Sequence, residues 1–433
     1  MDRANVVNFG AGPSALPLDV LEEVTKGLIN YNGTGIGITE LSHRSKDFSA
    51  LIKGLEDDIR DLLVVPDTHS IVFMQGGGST QFSAVVLNLL ARHKLLFPTL
   101  PDEERVMDFV VTGSWSKKAA DEARRLGGKA KVNIVVDSRH FSADGKSFDN
   151  IPPHDKWNLS TSPVFVYYCE NETVDGVQFS HIPGAPTAFP HHLLSQGGRD
   201  KFTPLVADYS SSFLSRPIPH IADHALIYAG AQKNIGPAGL TIAIVRKDLL
   251  VDTDAATKLG AVPVPLMLSY KVLADSGSLH NTPPMFSIYV ARLVVARVKD
   301  LGGATYMEQF NESKRRMLSH AVEQGVEQGV FKFKVQDGSR SWMNCTFTVE
   351  GDGLEQKFIE GATKRGLLQL KGHRSVGGIR VSLYNAITEE DVALLVAYIH
   401  EFLNELDPDV PPATEADLPA PTEVTAALPQ TPA

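Results

Sequence analysis

The chain has little that would staple, anchor or export it. It contains two cysteines, Cys169 and Cys345, in 433 residues. Two thiols cannot build a disulfide framework, and such a count suits a reducing compartment. No apolar run is long enough for a bilayer. The two most apolar windows, 84–96 and 286–298, are broken by Asn88, Arg92, His93 and Lys94 and by Arg292 and Arg297. Both fall short of the ~18 uninterrupted apolar residues that a crossing needs. The opening Met1-Asp2-Arg3-Ala4-Asn5 lacks the apolar core of a secretory signal. Basic charge is in deficit as well: 41 Lys and Arg face 51 Asp and Glu, a net charge of −10. That balance argues against a general nucleic-acid binder. Together these absences predict a cytoplasmic protein with neither membrane nor nucleic acid as a partner.

What remains is an ordinary globular composition, 43% hydrophobic and 21% charged. The length allows two or three domains. One segment stands apart. Residues 407–433 hold seven prolines, six alanines and five acidic residues, with no basic or aromatic residue. Such a composition buries too little apolar surface to offset its ordering entropy, so a disordered tail is expected.

Ahead of the tail, short apolar runs alternate with helical patterns. Runs at 70–75, 108–111, 133–136, 164–168, 204–207, 226–229 and 240–245 read as buried strands. Residues 79–92 place Phe82, Val85, Val86, Leu89 and Leu90 on one helix face. Residues 117–126 continue the alternation. This pattern predicts an α/β fold with a large, mostly parallel sheet covered on both faces. Pro283-Pro284 opens another helix. Beyond Gly302-Gly303 come longer helices (304–325, 354–365) and short strands (341–349, 378–383). That change predicts a smaller α+β domain over 300–406, after a large domain over 16–299.

Three features carry chemistry. Gly76-Gly77-Gly78-Ser79-Thr80 lies between a strand and a helix. Glycines admit a phosphate to the backbone, and the helix start offers free N–H groups. It lacks the Lys-Ser/Thr of a P-loop and the glycine spacing of a dinucleotide site. A tight turn with no ligand is an equal reading of this segment alone. Asp208 follows the strand at 204–207, at the carboxyl edge where open sheets place ligands. Taken singly it reads as a helix cap. Lys233 stands among small and apolar residues in Tyr228-Ala229-Gly230-Ala231-Gln232-Lys233-Asn234-Ile235-Gly236. A buried lysine is costly unless neutralised, paired or used covalently. Its alternative is a lysine that snorkels to the surface. A phosphate cradle, an acid for a pyridinium nitrogen and a Schiff-base lysine together are what pyridoxal 5'-phosphate requires. Trp115, after another strand, is placed to stack on its ring; alone it would read as a core residue.

The sequence resembles the phosphoserine aminotransferases, pyridoxal-phosphate enzymes of fold type I. The likeness rests on Asn8-Phe9-Gly10-Ala11-Gly12-Pro13-Ser14-Ala15-Leu16-Pro17, Ser42-His43-Arg44-Ser45-Lys46-Asp47-Phe48 and the glycine cradle. It continues in Asn171-Glu172-Thr173-Val174-Asp175-Gly176, Ala207-Asp208, the Lys233 segment, Asn281-Thr282-Pro283-Pro284 and Lys371-Gly372-His373-Arg374-Ser375-Val376-Gly377-Gly378-Ile379-Arg380. These motifs run in order along all but the tail.

The resemblance implies that Lys233 holds the cofactor and moves the substrate proton, and that Asp208 pairs the pyridinium nitrogen. It implies that Trp115 and Thr173 contact the ring and that Gly78, Ser79 and Gln232 hold the phosphate. Asn281 and Thr282 are implied to reach the neighbouring subunit's cofactor, which makes a homodimer with shared sites. Residues 1–15 are then a segment packing with the small domain. The implied substrates are O-phospho-L-serine, 2-oxoglutarate, L-glutamate and 3-phosphohydroxypyruvate, in serine biosynthesis. All are anions, and arginine offers a planar fork for such groups. Arg380 is the expected clamp for the α-carboxylate, with His43, Arg44, His373 and Arg374 around the second anion. Some family members carry arginine or cysteine where Ser79 stands here. Residues 93–105 look like a lengthened loop.

Other readings stay open at this stage. A cysteine desulfurase of the same fold needs a reactive thiol on a mobile loop, whereas Cys169 and Cys345 sit in strand-like runs. A non-catalytic scaffold would not need Lys233, Asp208 and Trp115 intact.

Overall fold

The computed structural model describes residues 2–195 and 203–406. The expected disordered tail, 407–433, lies outside the described residues. Seven strands make the central sheet: β1 His69–Gln75, β2 Val106–Val111, β3 Lys131–Asp137, β4 Val166–Cys169, β5 Leu205–Asp208, β6 Leu226–Gly230 and β7 Leu240–Arg246. Their spatial order is β1-β7-β6-β5-β4-β2-β3. Six strands point one way, and β7 runs antiparallel to both its neighbours, β1 and β6.

The continuous apolar runs follow from burial on both faces. Successive residues feed opposite cores: Ile71 and Phe73 one side, Val72 and Met74 the other. Helices α1 Leu18–Ile29 and α2 Lys46–Leu63 precede the sheet, α3 Gly77–Leu96 and α4 Ser114–Leu126 lie within its span, and α5 Met285–Asp300 follows it. Helices α2 and α5 line the first core, α3 and α4 the second. Helix α2 begins where the Ser45 hydroxyl accepts from the Phe48 N–H, 3.1 Å, an N-cap bond. It buries Phe48, Leu51, Ile52, Leu55 and Ile59, the helical spacing of one apolar stripe.

The expected loop over 93–105 is shorter than the sequence suggests. Helix α3 continues to Leu96. The connection behind it is pinned by Arg105, 2% exposed. Its guanidinium donates to the carbonyls of His93, Phe97 and Leu100 and to the Asp102 carboxylate.

Residues past 302 form a second layer of structure. Three antiparallel strands, β8 Phe331–Phe333, β9 Asn344–Val349 and β10 Ile379–Ser382, lie in that order. Helices α6 Gly303–Glu327, α7 Leu354–Lys364 and α8 Glu389–Leu406 pack with them. Their apolar core gathers Phe331, Phe347, Phe358 and Phe402, and it also takes in Val7 and Phe9 from the chain start. Val7–Asn8 pairs in parallel with Leu367–Leu368. Among the described residues no helix is long and apolar enough to cross a membrane.

Candidate active site

Lys233 lies in the turn after β6 and is 8% exposed. Its Nζ donates to the Ala11 carbonyl at 2.7 Å and to Thr173 Oγ1 at 3.3 Å. Burial, then the charge of Arg380, lowers its pKa from 10.5 to about 8, against the pull of Asp208. The chain start wraps this amine. Ser14 N–H donates to the Gln232 carbonyl at 3.1 Å, and the Ser14 hydroxyl donates to the carbonyl of Lys233. Gly12 has φ +127°, and a Cβ there would meet Lys233 Cδ at 3.0 Å. Only glycine meets both demands, of backbone and of space.

Asp208 ends β5, opposite Cys169 and Tyr228 on the flanking strands. Its carboxylate accepts from the Ser210 N–H at 2.9 Å. Burial pushes its pKa up, and the Ser210 hydrogen bonds, Tyr228 and Lys233 pull it back. The glycine turn borders this carboxylate. Gly76 and Gly77 have φ +102° and +66°, and the Gly77 N–H donates to Thr241 Oγ1 of β7 at 2.9 Å. A Cβ on Gly78 would meet only Asp208 Oδ2, at 3.8 Å. The start of α3 therefore adjoins the acid. Ser79 is exposed, and Gln232 half-buried.

Trp115 stands in the first turn of α4, half-buried, with Lys118 Nζ 4.2 Å from its ring centre. The turn is held by two buried carboxylates from the segment carrying Thr173. Glu172 accepts from the Trp115 and Ser116 N–H groups, both at 2.8 Å, and Asp175 accepts from Ser114 N–H at 2.7 Å. These satisfy helix-start donors that have no partner within the helix. Arg380, on β10, donates to the Thr173 carbonyl at 3.2 Å. His373 has its pKa lowered by burial and by the charges of Arg380, Lys118 and Arg374. Arg380, Lys118 and Arg374 therefore share one electropositive neighbourhood around His373, with Lys118 over Trp115.

Lys233, Asp208, Thr173, Arg380 and the glycine turn thus converge. His43 and Thr282 form a second group: Thr282 Oγ1 lies 3.2 Å from His43 Nδ1. Arg44 and Asn281 are exposed. His43 Nε2 is a buried nitrogen with no hydrogen-bond partner. Three participants escaped the sequence reading: the Ala11 carbonyl, Lys118 and Tyr384. The Tyr384 hydroxyl donates to Ala11 O at 3.0 Å, and its ring centre lies 5.9 Å from Lys233 Nζ. Lys118 had a signal, since it sits one helical turn past Trp115. Tyr384 had none. Both cysteines are strand residues, and burial pushes the thiols up, Cys345 to about 12. Neither is a reactive nucleophile.

This arrangement of a buried lysine, an acid at a strand end and a glycine-led helix matches a known family. The class-V aminotransferase model matches residues 6–395, and the chain belongs to that family. A phosphoserine aminotransferase of Pseudomonas paraeruginosa is 42% identical over 398 residues, covering 92% of this chain and 98% of that one. The solved phosphoserine aminotransferase of Bacillus circulans subsp. alkalophilus superposes with a TM-score of 0.80 at 34% identity, covering 92% and 98%. A PLP-bound phosphoserine aminotransferase of Trichomonas vaginalis gives 0.76 at 33% identity, covering 91% and 99%.

Proposed function

We propose that this chain is a pyridoxal 5'-phosphate-dependent phosphoserine aminotransferase. It exchanges the amino group between L-glutamate and 3-phosphohydroxypyruvate, giving 2-oxoglutarate and O-phospho-L-serine for serine biosynthesis. The observation that carries the reading is the buried Lys233 amine, its pKa held near 8, in one cluster with Asp208 and Arg380. Asp208 would hold the cofactor's ring nitrogen, and the glycine-led start of α3, which adjoins it, would receive the phosphate.

The cofactor, when bound, supplies a carbonyl carbon for the amino group and an electron sink for the α-carbon. The chain supplies the rest. Lys233 Nζ carries the cofactor and, once released, moves the proton at the substrate α-carbon. Asp208 holds the proton on the ring nitrogen. Trp115 and Thr173 bound the ring, and Gly78, Ser79 and Gln232 hold its phosphate. Arg380 takes the α-carboxylate as a planar fork, and His373 and Arg374 take the second anion. His43, Arg44, Asn281 and Thr282 are assigned to the site of a second copy, which makes the working unit a homodimer. We also assign residues 16–299 to a cofactor-holding domain and 300–406 to a smaller one. The shared core of Val7, Phe9 and Phe347 supports the packing of 1–15 with the latter. The cytoplasm is the proposed compartment.

The test is a visible spectrum of the purified protein during titration with O-phospho-L-serine. The cofactor band should vanish and return on adding 2-oxoglutarate. Lys233→Ala should lose turnover. A band that ignores phosphoserine but answers another amino acid would keep the family and overturn the substrate.

A further inference from the structure

A second lysine is more deeply buried than Lys233. Lys314, on α6, is 0% exposed. Its Nζ donates to three backbone carbonyls: Leu383 at 3.1 Å, Tyr384 at 3.0 Å and Ile387 at 2.9 Å. Only an ammonium has three N–H donors, so the geometry is that of the charged form. Phe310 stacks one helical turn away, with its ring centre 4.4 Å from Nζ. Burial pushes the Lys314 pKa down to about 7, against the pull of Glu389 and Asp391 at the start of α8, so the three carbonyls are what hold it charged.

The turn this ammonium grips leads to the active centre by two routes. Tyr384 shares the Ala11 carbonyl with Lys233. Asn385 N–H donates to Asn234 Oδ1 at 3.0 Å, and Asn234 directly follows Lys233. Asn385 Nδ2 also donates to the Leu214 carbonyl at 2.9 Å, where Leu214 has φ +58°. Asn311, one turn before Lys314 and fully buried, donates to Asn385 Oδ1 at 3.0 Å and to the Ser215 carbonyl at 2.9 Å. A buried polar chain therefore runs from α6 through the 383–387 turn to the residue beside Lys233.

We propose that Lys314 is a positioning residue for Lys233, acting through the 383–387 turn that presents Tyr384 and Asn385. Stability alone would not need this device. Buried charges are costly, and an apolar side chain of similar volume often serves packing as well. What an apolar residue cannot do is hold three carbonyls in a fixed turn. The inference rests on the reading of Lys233 as the cofactor-bearing amine.

The test uses the full chain with Lys314→Met, Asn385→Ala and the double variant. In cofactor-free protein, acetic anhydride labelling of Lys233, read by mass spectrometry against pH, reports its proton affinity. Loosening the turn should let water reach Lys233 and move its pKa up by about one unit, toward an ordinary lysine. In the loaded enzyme kcat should fall about tenfold while the KM for phosphoserine moves less than about threefold. Asn385→Ala should shift Lys233 in the same direction, and the double variant should add little to the larger single effect. An unchanged Lys233 titration in the folded variants, with only a lower Tm, would overturn the proposal. If Lys314→Met does not fold, Asn385→Ala decides, since it releases the turn from the Leu214 carbonyl and from Asn311 and leaves the ammonium bonds intact. A chain that never binds pyridoxal phosphate would sink the functional reading while leaving the labelling result to stand.

Discussion

Arg374 and Arg380 carry the same charge, but they are expected to answer to different parts of the substrate. Arg380 is half-buried and tied to the Thr173 carbonyl, whereas Arg374 is exposed at the rim with His373. Arg374→Ala should raise the KM for phosphoserine about tenfold, with a smaller effect on an unphosphorylated analogue. Equal losses on both substrates would refute its assignment to the phosphate. Gly113 is a second residue with a sharp expectation. A Cβ there would fall 2.3 Å from Glu172 Cδ. Gly113→Ala should cost about 1–3 kcal/mol in chemical denaturation, since the clash is with a buried, hydrogen-bonded carboxylate. Residues that break a local rule were readable in the sequence. Lys233 and Asp208 are polar groups at the ends of apolar runs; each alone has a structural reading, and their combination with the glycine turn is what points to a cofactor. Tyr384 and the Ala11 carbonyl were not readable. A tyrosine just past a short strand has many uses, and a backbone carbonyl leaves no trace in a sequence. Lys314 lay in between. It falls on the buried face of α6 with Met307, Asn311 and Leu318, yet helical spacing alone cannot tell a gripped ammonium from a snorkelling one.

Elements came through more evenly. Every strand of the central sheet was legible as an apolar run, because burial on both faces removes polar alternation. Helix α2 was legible only as a motif, since its apolar stripe is interrupted by many charges. Helix α3 outran its expected end because His93 is buried against the Arg105-pinned connection and Arg92 is buried in an ion pair with Asp248, 2.8 Å. The start of α4 shows what an element needs beyond propensity. Its first three N–H groups are taken by Asp175 and Glu172, from a segment more than 50 residues away. Glu172→Ala should leave two donors bare and cost about 1–3 kcal/mol. It should also weaken pyridoxal phosphate binding, because Trp115 and Thr173 both depend on that junction. Normal affinity in a destabilised variant would separate the two roles.

At the scale of the whole molecule, buried histidines set an acid limit. His224 is pushed down to about 3 and His93, His181 and His191 to about 4, all chiefly by burial. The bonding agrees for His224. Its Nδ1 must donate to the His220 carbonyl, 3.0 Å away, so Nε2 accepts from the Tyr168 hydroxyl at 2.7 Å. That is a neutral ring. An unfolded histidine takes its proton near pH 6.5, so below that the unfolded state binds more protons and stability falls. Each tenfold difference in proton affinity is worth about 1.4 kcal/mol. The urea midpoint should therefore drop between pH 7 and pH 5, and His224→Gln should show a shallower drop. An identical slope in the variant would assign the acid sensitivity elsewhere.

The antiparallel strand β7 has a consequence in time. It lies between β1 and β6, so β1 has no sheet neighbour until residue 246 has been made. The glycine turn that follows β1 is fastened to Thr241, 164 residues ahead. The Ala11 carbonyl waits longer still, for donors 222 and 373 residues downstream. A ribosome releasing this chain thus holds the earliest parts of the catalytic cradle open until nearly the last. Contacts of such long range are slow to form. The cradle that receives the cofactor is among the final places to close, when the chain is already whole.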